Sequence, residues 1–499
     1  MCILSPAQSH ASRAASLPGT ARQQLAVDAL SGVPISQIAA DQQVSRKFVY
    51  QQLHQAQDAL DHAFAPPAGE PPQLLFWLPV TKPWLRQLVL GLTLICHSSL
   101  RGVQNLVADL FDHALSLGQI HNILHDAVAN ARRINTRENL QAVRIAALDE
   151  IFQAGRPVLV AADVASTYCC LLSLEEHRDA DTWGVRLLEL ADRGFCPEAT
   201  IADFASGLRA GQAEALPDVP CRGDVFHALQ TAMPLVGYLE NRAYEAITTR
   251  SQLESRQRRL EYRHGRKDAS LAGQLRYARE AEAGAITLAE EVEVLIGWLR
   301  QDVLAVRGAN YAERCALYDW IVAELKAREP LCSHRVRPVR VLLENQREAL
   351  LAFAKKLDVE LRALAEEYEV PAALVEEVRA VLSLSGYSSE RWQREAVLWQ
   401  RWGSRYGMVR QAVTEVLEGV VRASSVIENL NSRLRSYFFL RRHLRADYLA
   451  LLQYFLNHRR FVRSEHDERV GKSPAELLSG QEQPHWLEML GYQPFRRAA

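Results

Sequence analysis

The sequence predicts an α/β protein whose small mixed sheet is flanked on both sides by helical segments. Three observations carry that prediction. A strand-like period, rich in Val, Ile, Tyr and Cys, sets in near residue 142 and yields to helical spacing near 233. The first 140 residues show short helices opened by serine caps and closed by Gly or Pro. From 233 to 420 the pattern is almost wholly helical and densely charged, with Glu and Arg placed for i,i+4 pairing. At 499 residues the chain is too long for one ordinary domain. An apolar content of 48% and a charged content of 23% predict that it folds rather than remaining disordered.

Residues 20–64 read as three helices, "TARQQLAVDALSG", "PISQIAADQQ" and "SRKFVYQQLHQAQDAL", with Ser45 capping the third. Ile38, Val44, Val49 and Leu53 fall where a helix-turn-helix packs its two helices together. Arg46 and Lys47 then open the second helix of that pair, the end that meets bases and phosphates in such units. Residues 1–64 are therefore read as an N-terminal helix-turn-helix domain with Arg46 and Lys47 as DNA contacts. The proline-rich "APPAGEPP" places a stiff linker over 65–80. A second helix-turn-helix-like block follows over 81–140, with Ser99 and Ser116 as caps.

In the strand-like region, "VRIAALDEIFQ" and "RPVLVAADVASTYCCLLSL" read as an antiparallel hairpin about a short Gly-containing turn. An amphipathic helix, "DADTWGVRLLELADRG", a strand "EATIADF" and a strand near "CRGDVFHAL" complete a mixed α/β sheet. Asp149 and Asp203 each end an apolar strand pattern, so both could project into one cleft and attract a divalent metal. Adjacent strand residues face opposite ways, so only one of Asp149 and Glu150 can reach it. Asp163 on the hairpin partner is a further acid of this kind. Late in the chain, "IENLNSRLRSYFFLRRHL" sets Glu428 on a helical face with Asn431, Ser432 and Arg435. Arg433, Arg435, Arg441, Arg442 and Arg445 could neutralise a nucleic-acid strand passing there. Tyr437, Phe438 and Phe439 are expected to be buried. So are most of Trp298, Trp320, Trp392, Trp399 and Trp402.

Composition sets limits on function. The net charge of −1 excludes a uniformly basic binder, so nucleic-acid affinity must come from local arginine clusters. Eight cysteines show no C-x-x-C pair and no zinc spacing, which points to reduced, packed thiols. The opening residues lack the pattern of a secretory signal, and "LRQLVLGLTLIC" is too short to span a bilayer. A soluble cytoplasmic protein is expected.

Asp149 in "ALDEIFQ", Asp203 in "IADFASGLRAG" and Glu428 in "SSVIENLNSRLRSYFFLRR" resemble the DDE triad of bacterial insertion-sequence transposases. Asp224 and His227 in "CRGDVFHAL" resemble the C/D-x-x-H signature of Mutator-like transposases, and "NHRRFVRSEHDERVGKSPAELLSG" is similar to the closing segment of such enzymes. The resemblance implies an RNase H-like α/β core, in two parts over 141–232 and 421–465. A large all-α insertion over 233–420 would interrupt that core, helix-turn-helix domains would precede it, and a tail over 466–499 would follow. It selects Asp149 over Glu150 and implies that Asp149, Asp203 and Glu428 hold two Mg²⁺ (or Mn²⁺) ions. Asp224 and His227 would be auxiliary, and Arg209 in "SGLRAG" a further DNA contact. It also implies double-stranded DNA partners at element ends and target, a homodimer or higher oligomer in the working complex, and association with the nucleoid. A non-catalytic DNA-binding relative, or a nuclease on the same fold without strand transfer, are the other functions the same residues allow.

Overall fold

In the computed structural model, which describes residues 13–65, 78–265, 269–422, 425–440 and 445–494, the chain divides into two units, Met1–Val80 and Thr81–Ala499. The first contains α1 (Gly19–Leu30), α2 (Ile35–Asp41) and α3 (Arg46–Phe64). The Ser45 hydroxyl accepts from the backbone N–H of Phe48 and starts α3. Leu25, Ile38, Ala39 and Val49 form the small core of this unit.

The second unit opens with α4 (Lys82–Leu94), α5 (Leu100–Phe111) and α6 (Leu117–Arg137), capped by Thr81, Ser99 and Ser116. These helices do not form a body of their own, as the separate block expected over 81–140 would. Their apolar faces join one continuous core with the sheet and with two late helices, α16 (Ser425–Leu440) and α17 (Ala446–His458). The sheet has the order β3-β2-β1-β4-β5, built from β1 (Ile145–Gln153), β2 (Arg156–Asp163), β3 (Cys169–Leu174), β4 (Ala199–Ala202) and β5 (Cys221–Gly223). β1–β2 and β2–β3 are antiparallel, whereas β1–β4 and β4–β5 are parallel. The expected second hairpin strand is thus two strands. Asp163 Oδ2 accepts from the backbone N–H of Ser166 at 2.7 Å and from its hydroxyl at 2.5 Å, a turn that divides the run.

The opposite face of the sheet is covered by α7 (Ala180–Ala191) and α8 (Ser206–Ala215), with Trp183 fully buried. These two helices cross at Gly211. A Cβ there would lie 2.5 Å from the Ala180 carbonyl oxygen and 2.7 Å from Trp183 Cβ. Gly211→Ala is expected to destabilise the protein by about 2–3 kcal/mol, the cost of overpacking a closed contact, read as a lower urea midpoint at unchanged slope.

Between β5 and α16 lies an all-helical region: α9 (Val225–His264), α10 (Ala269–Trp298), α11 (Tyr311–Arg328), α12 (Ser333–Glu367), α13 (Ala372–Ser383), α14 (Ser389–Trp402) and α15 (Ser404–Glu418). It has two cores, one from α9 to α12 and one from α12 to α15. Its entry and exit meet where the Val225 N–H donates to the Arg422 carbonyl at 3.0 Å. Contrary to expectation, Trp298, Trp320, Trp392 and Trp399 are 40–60% exposed. Trp298 and Trp320 lie against each other with ring centroids 5.4 Å apart, so each covers part of its partner rather than entering the core. Phe439 is likewise 85% exposed while Tyr437 and Phe438 are buried, because the apolar stripe of α16 is narrower than its aromatic run. Among the described residues no helix is long and apolar enough to cross a membrane.

Candidate active site

The parallel pairing of β1 with β4 sets Leu148 beside Ala202, and the next residue on each strand is an acid. Asp149 and Asp203 are thereby delivered side by side at the carboxyl edge where β4 ends, the edge at which open α/β sheets place their ligands. Asp149 points to the face covered by α16. Its Oδ1 accepts the Glu150 N–H at 2.7 Å, and its Oδ2 accepts from Asn431 Nδ2 at 2.6 Å. Glu150, one residue on, points to the other face and accepts from Trp183 Nε1 and Arg178 Nη1, both at 2.9 Å. With Glu150 bound there and Asp163 serving its turn, neither rival acid shares the position of Asp149.

Asp203 holds a tight turn into α8, its Oδ1 accepting the Ala205 N–H at 3.0 Å. Arg209, expected to meet DNA, is committed within the fold. Its Nε donates to the Asp203 carbonyl at 3.0 Å and its Nη1 to Gln346 Oε1 at 3.1 Å, while the guanidinium lies 5.6 Å from the Phe204 ring centroid. It therefore fastens the acidic turn to α12. Asp224 and His227 stand at the start of α9 rather than on a strand: β5 stops at Gly223, and the fully buried Asp224 caps α9 through the N–H of Phe226 and His227. The same carboxylate holds His227 Nδ1 at 3.0 Å, leaving His227 Nε2 3.6 Å from Glu428 Oε1. Sequence spacing placed Asn431 on the face of Glu428, three residues on. Its bond to Asp149 across 282 residues is visible only in the fold.

Charges within this cluster are coupled. Burial chiefly, with added repulsion from Asp203 and Glu428, pushes the Asp149 carboxyl up to about 6, against the opposing pull of the Glu150 N–H and of His227. The hydrogen bond that His227 donates to Asp224 lifts its imidazole to about 9, with Asp224, Asp149 and Asp203 adding their field. At neutral pH an imidazolium therefore stands among the carboxylates. Three carboxylates that repel one another around a buried member, all hard oxygen donors, suit a divalent cation such as magnesium. Among the described residues no three Asp, Glu, His or Cys side chains close around a single point as they stand. Asn431 and His227 occupy two of the acids instead. Asn431 Oδ1 is buried and has no hydrogen-bond partner, so the amide is held only through its donor side.

Of the arginines, Arg435 is exposed on α16, seven residues from Glu428. Arg433 lies on the opposite flank, where burial lowers its guanidinium below the usual value. With Arg422, Arg463 and Arg469 it lines a cleft of about 960 Å³. Arg46 and Lys47 are exposed in the first turn of α3, in the other unit. Arg441 and Arg442 lie outside the described residues. No protein-family model matches the chain, and no curated protein sequence matches it.

Proposed function

We propose that the chain is a DDE-type transposase with an RNase H-like core, which cuts the ends of a mobile DNA element and joins them to target DNA. The observation that carries this reading is the convergence of Asp149, Asp203 and Glu428, from β1, the end of β4 and α16, on one edge of the sheet. Asp149, Asp203 and Glu428 would hold two Mg²⁺ or Mn²⁺ ions. Bound there, such ions would supply activation of the attacking oxygen and charge stabilisation of the leaving one.

The chain's own residues do the positioning. Asn431 and the Glu150 N–H fix the Asp149 carboxylate, and Arg209 fixes the Asp203 turn. His227, cationic and aimed by Asp224, can exchange Glu428 for a phosphate oxygen of the scissile group. In the first step water attacks phosphorus in line and the 3′ oxygen leaves as a hydroxyl. In the second that hydroxyl attacks a target phosphodiester and displaces the target's own 3′ oxygen. One P–O bond forms as another breaks in each step, so no energy-rich co-substrate is needed. Exposed cations, among them Arg435, and Arg46 and Lys47 in the first unit, meet the DNA backbone. Two element ends call for a homodimer or larger assembly, acting at the nucleoid.

The test uses purified protein, magnesium and a duplex carrying the DNA that borders this gene. Cleavage at the element end followed by joined products, both lost with EDTA, is the expected result. Cutting without joining would identify a nuclease, and binding without cutting a DNA-binding protein that has lost catalysis.

A further inference from the structure

The first two helices of the all-helical region extend well past the core they help to build. Among the described residues that core takes nothing from α9 beyond Ala246 and nothing from α10 before Ala285. Beyond those points the two helices form an antiparallel arm, closed on itself by buried Leu271, Leu275 and Ala278. The 18 residues beyond Ala246, up to His264, give it a length of about 27 Å.

The arm's composition differs from that of the chain. Residues 247–284 hold nine Arg and Lys against five Asp and Glu, whereas the whole chain holds 58 against 59. Arg250 and Arg279 are used internally: Arg250 pairs with Glu254 and Glu282, and Arg279 with Glu254 at 2.9 Å, tying the helices together. Arg256, Arg259, Arg263 and Arg276 are exposed and have no acidic partner among the described residues. The first three are three and four residues apart, so they line one face of α9 over about 10 Å. Tyr262 and Tyr277, also on the arm, are 94% and 74% exposed. Ion pairing would explain a charged helix whose cations are matched, but this file of cations has been left unmatched.

We propose that this arm grips the phosphate backbone of duplex DNA, with Arg256, Arg259 and Arg263 each neutralising a phosphate. The transposase reading supplies the identity of the polyanion. Contacts of this kind position a duplex without reading its sequence, so the arm should hold element and target DNA equally well.

Binding of the full-length protein to labelled 30-base-pair duplexes, one of bordering and one of unrelated sequence, would be measured against salt concentration. Each phosphate contact contributes about 0.9 to the slope of log affinity against log salt. The triple variant R256Q/R259Q/R263Q should therefore lose about 2–3 from the slope on both duplexes, and R256K/R259K/R263K should keep it. Parallel salt lines for the wild type and the glutamine variant would overturn the arm. If the wild type still cut bordering DNA with magnesium, the transposase reading would stand without it. An equal loss in the lysine variant would mean altered shape rather than charge, and would also overturn it. Wild-type protein that bound neither duplex would overturn both proposals, and slope loss confined to single strands or RNA would overturn the assignment to duplex DNA.

Discussion

Replacing Asp149 with asparagine is expected to lower metal-dependent DNA cleavage by about 1000-fold while making the metal-free protein more stable. The first effect follows from removing the one acid that lies between Asp203 and the α16 face, a loss in the range seen when a single preorganised electrostatic group is deleted. The second follows from the raised value of its carboxyl, about 6 in the fold against about 3.9 for an unperturbed aspartate. The folded protein binds this proton more tightly than the unfolded chain does, so wild-type stability falls as pH rises from about 4 to 6. Some two pH units of displacement correspond to roughly 3 kcal/mol at neutral pH. The neutral amide of Asp149→Asn would carry no such cost, and a flip of the Asn431 amide would offer it the buried Oδ1 that now has no partner. In EDTA, urea unfolding from pH 4 to 6.5 should show the variant's stability advantage over wild type growing as pH rises from about 4 to 6. Magnesium should then raise the wild-type midpoint and leave the variant's unchanged, since only a group that binds the native state stabilises it.

His227→Ala should weaken the protein and the reaction together, with a pH signature that separates it from a simple packing loss. Its removal takes from Asp224, a fully buried carboxylate, the imidazolium held 3.0 Å away. The folded-state value of His227, about 9, lies above the unfolded value near 6.5. Its stabilisation is therefore complete below pH 6.5 and is lost as pH rises through 9. A quarter of the side chain faces solvent, which screens the pair, so roughly 2 kcal/mol is expected at pH 6. The midpoint gap between wild type and variant should narrow as pH rises from about 6.5 through about 9. A gap that stayed constant from pH 6 to 10 would show that the imidazole acts by packing rather than by charge.

Much of this site could be read from residue order alone, and the reasons are local. Asp149 and Asp203 each close a run of apolar strand residues, and Glu428 stands three residues from Asn431 on a helix. Alternation along β1 also required Asp149 and Glu150 to part company, as they do. What escaped the sequence was set by partners far along the chain. Arg209 looks like a free cation until Gln346, 137 residues later, takes one of its nitrogens. The β2–β3 division rests on one side-chain turn at Asp163, within a segment otherwise rich in strand-forming residues. Exposure of Phe439 and of four tryptophans could not be inferred because aromatic content reports what a helix can bury, not how wide a face its neighbours offer. The half-buried cation Arg433 and the exposed Arg435 look alike in sequence for the same reason.

The closure of the helical region at Val225 and Arg422 bears on how the protein comes into being. Asp149 and its partner Asn431 are 282 residues apart, and a contact so distant in sequence is normally slow to form. Here the intervening helices bring their own two ends together, so once they have folded the remaining search is short. During synthesis from the amino terminus, α1 to α3 and the sheet strands emerge before Glu428 exists. A nascent chain can thus present its exposed Arg46 and Lys47 while still lacking the third acid, and the cluster is completed only after the whole helical region has been made.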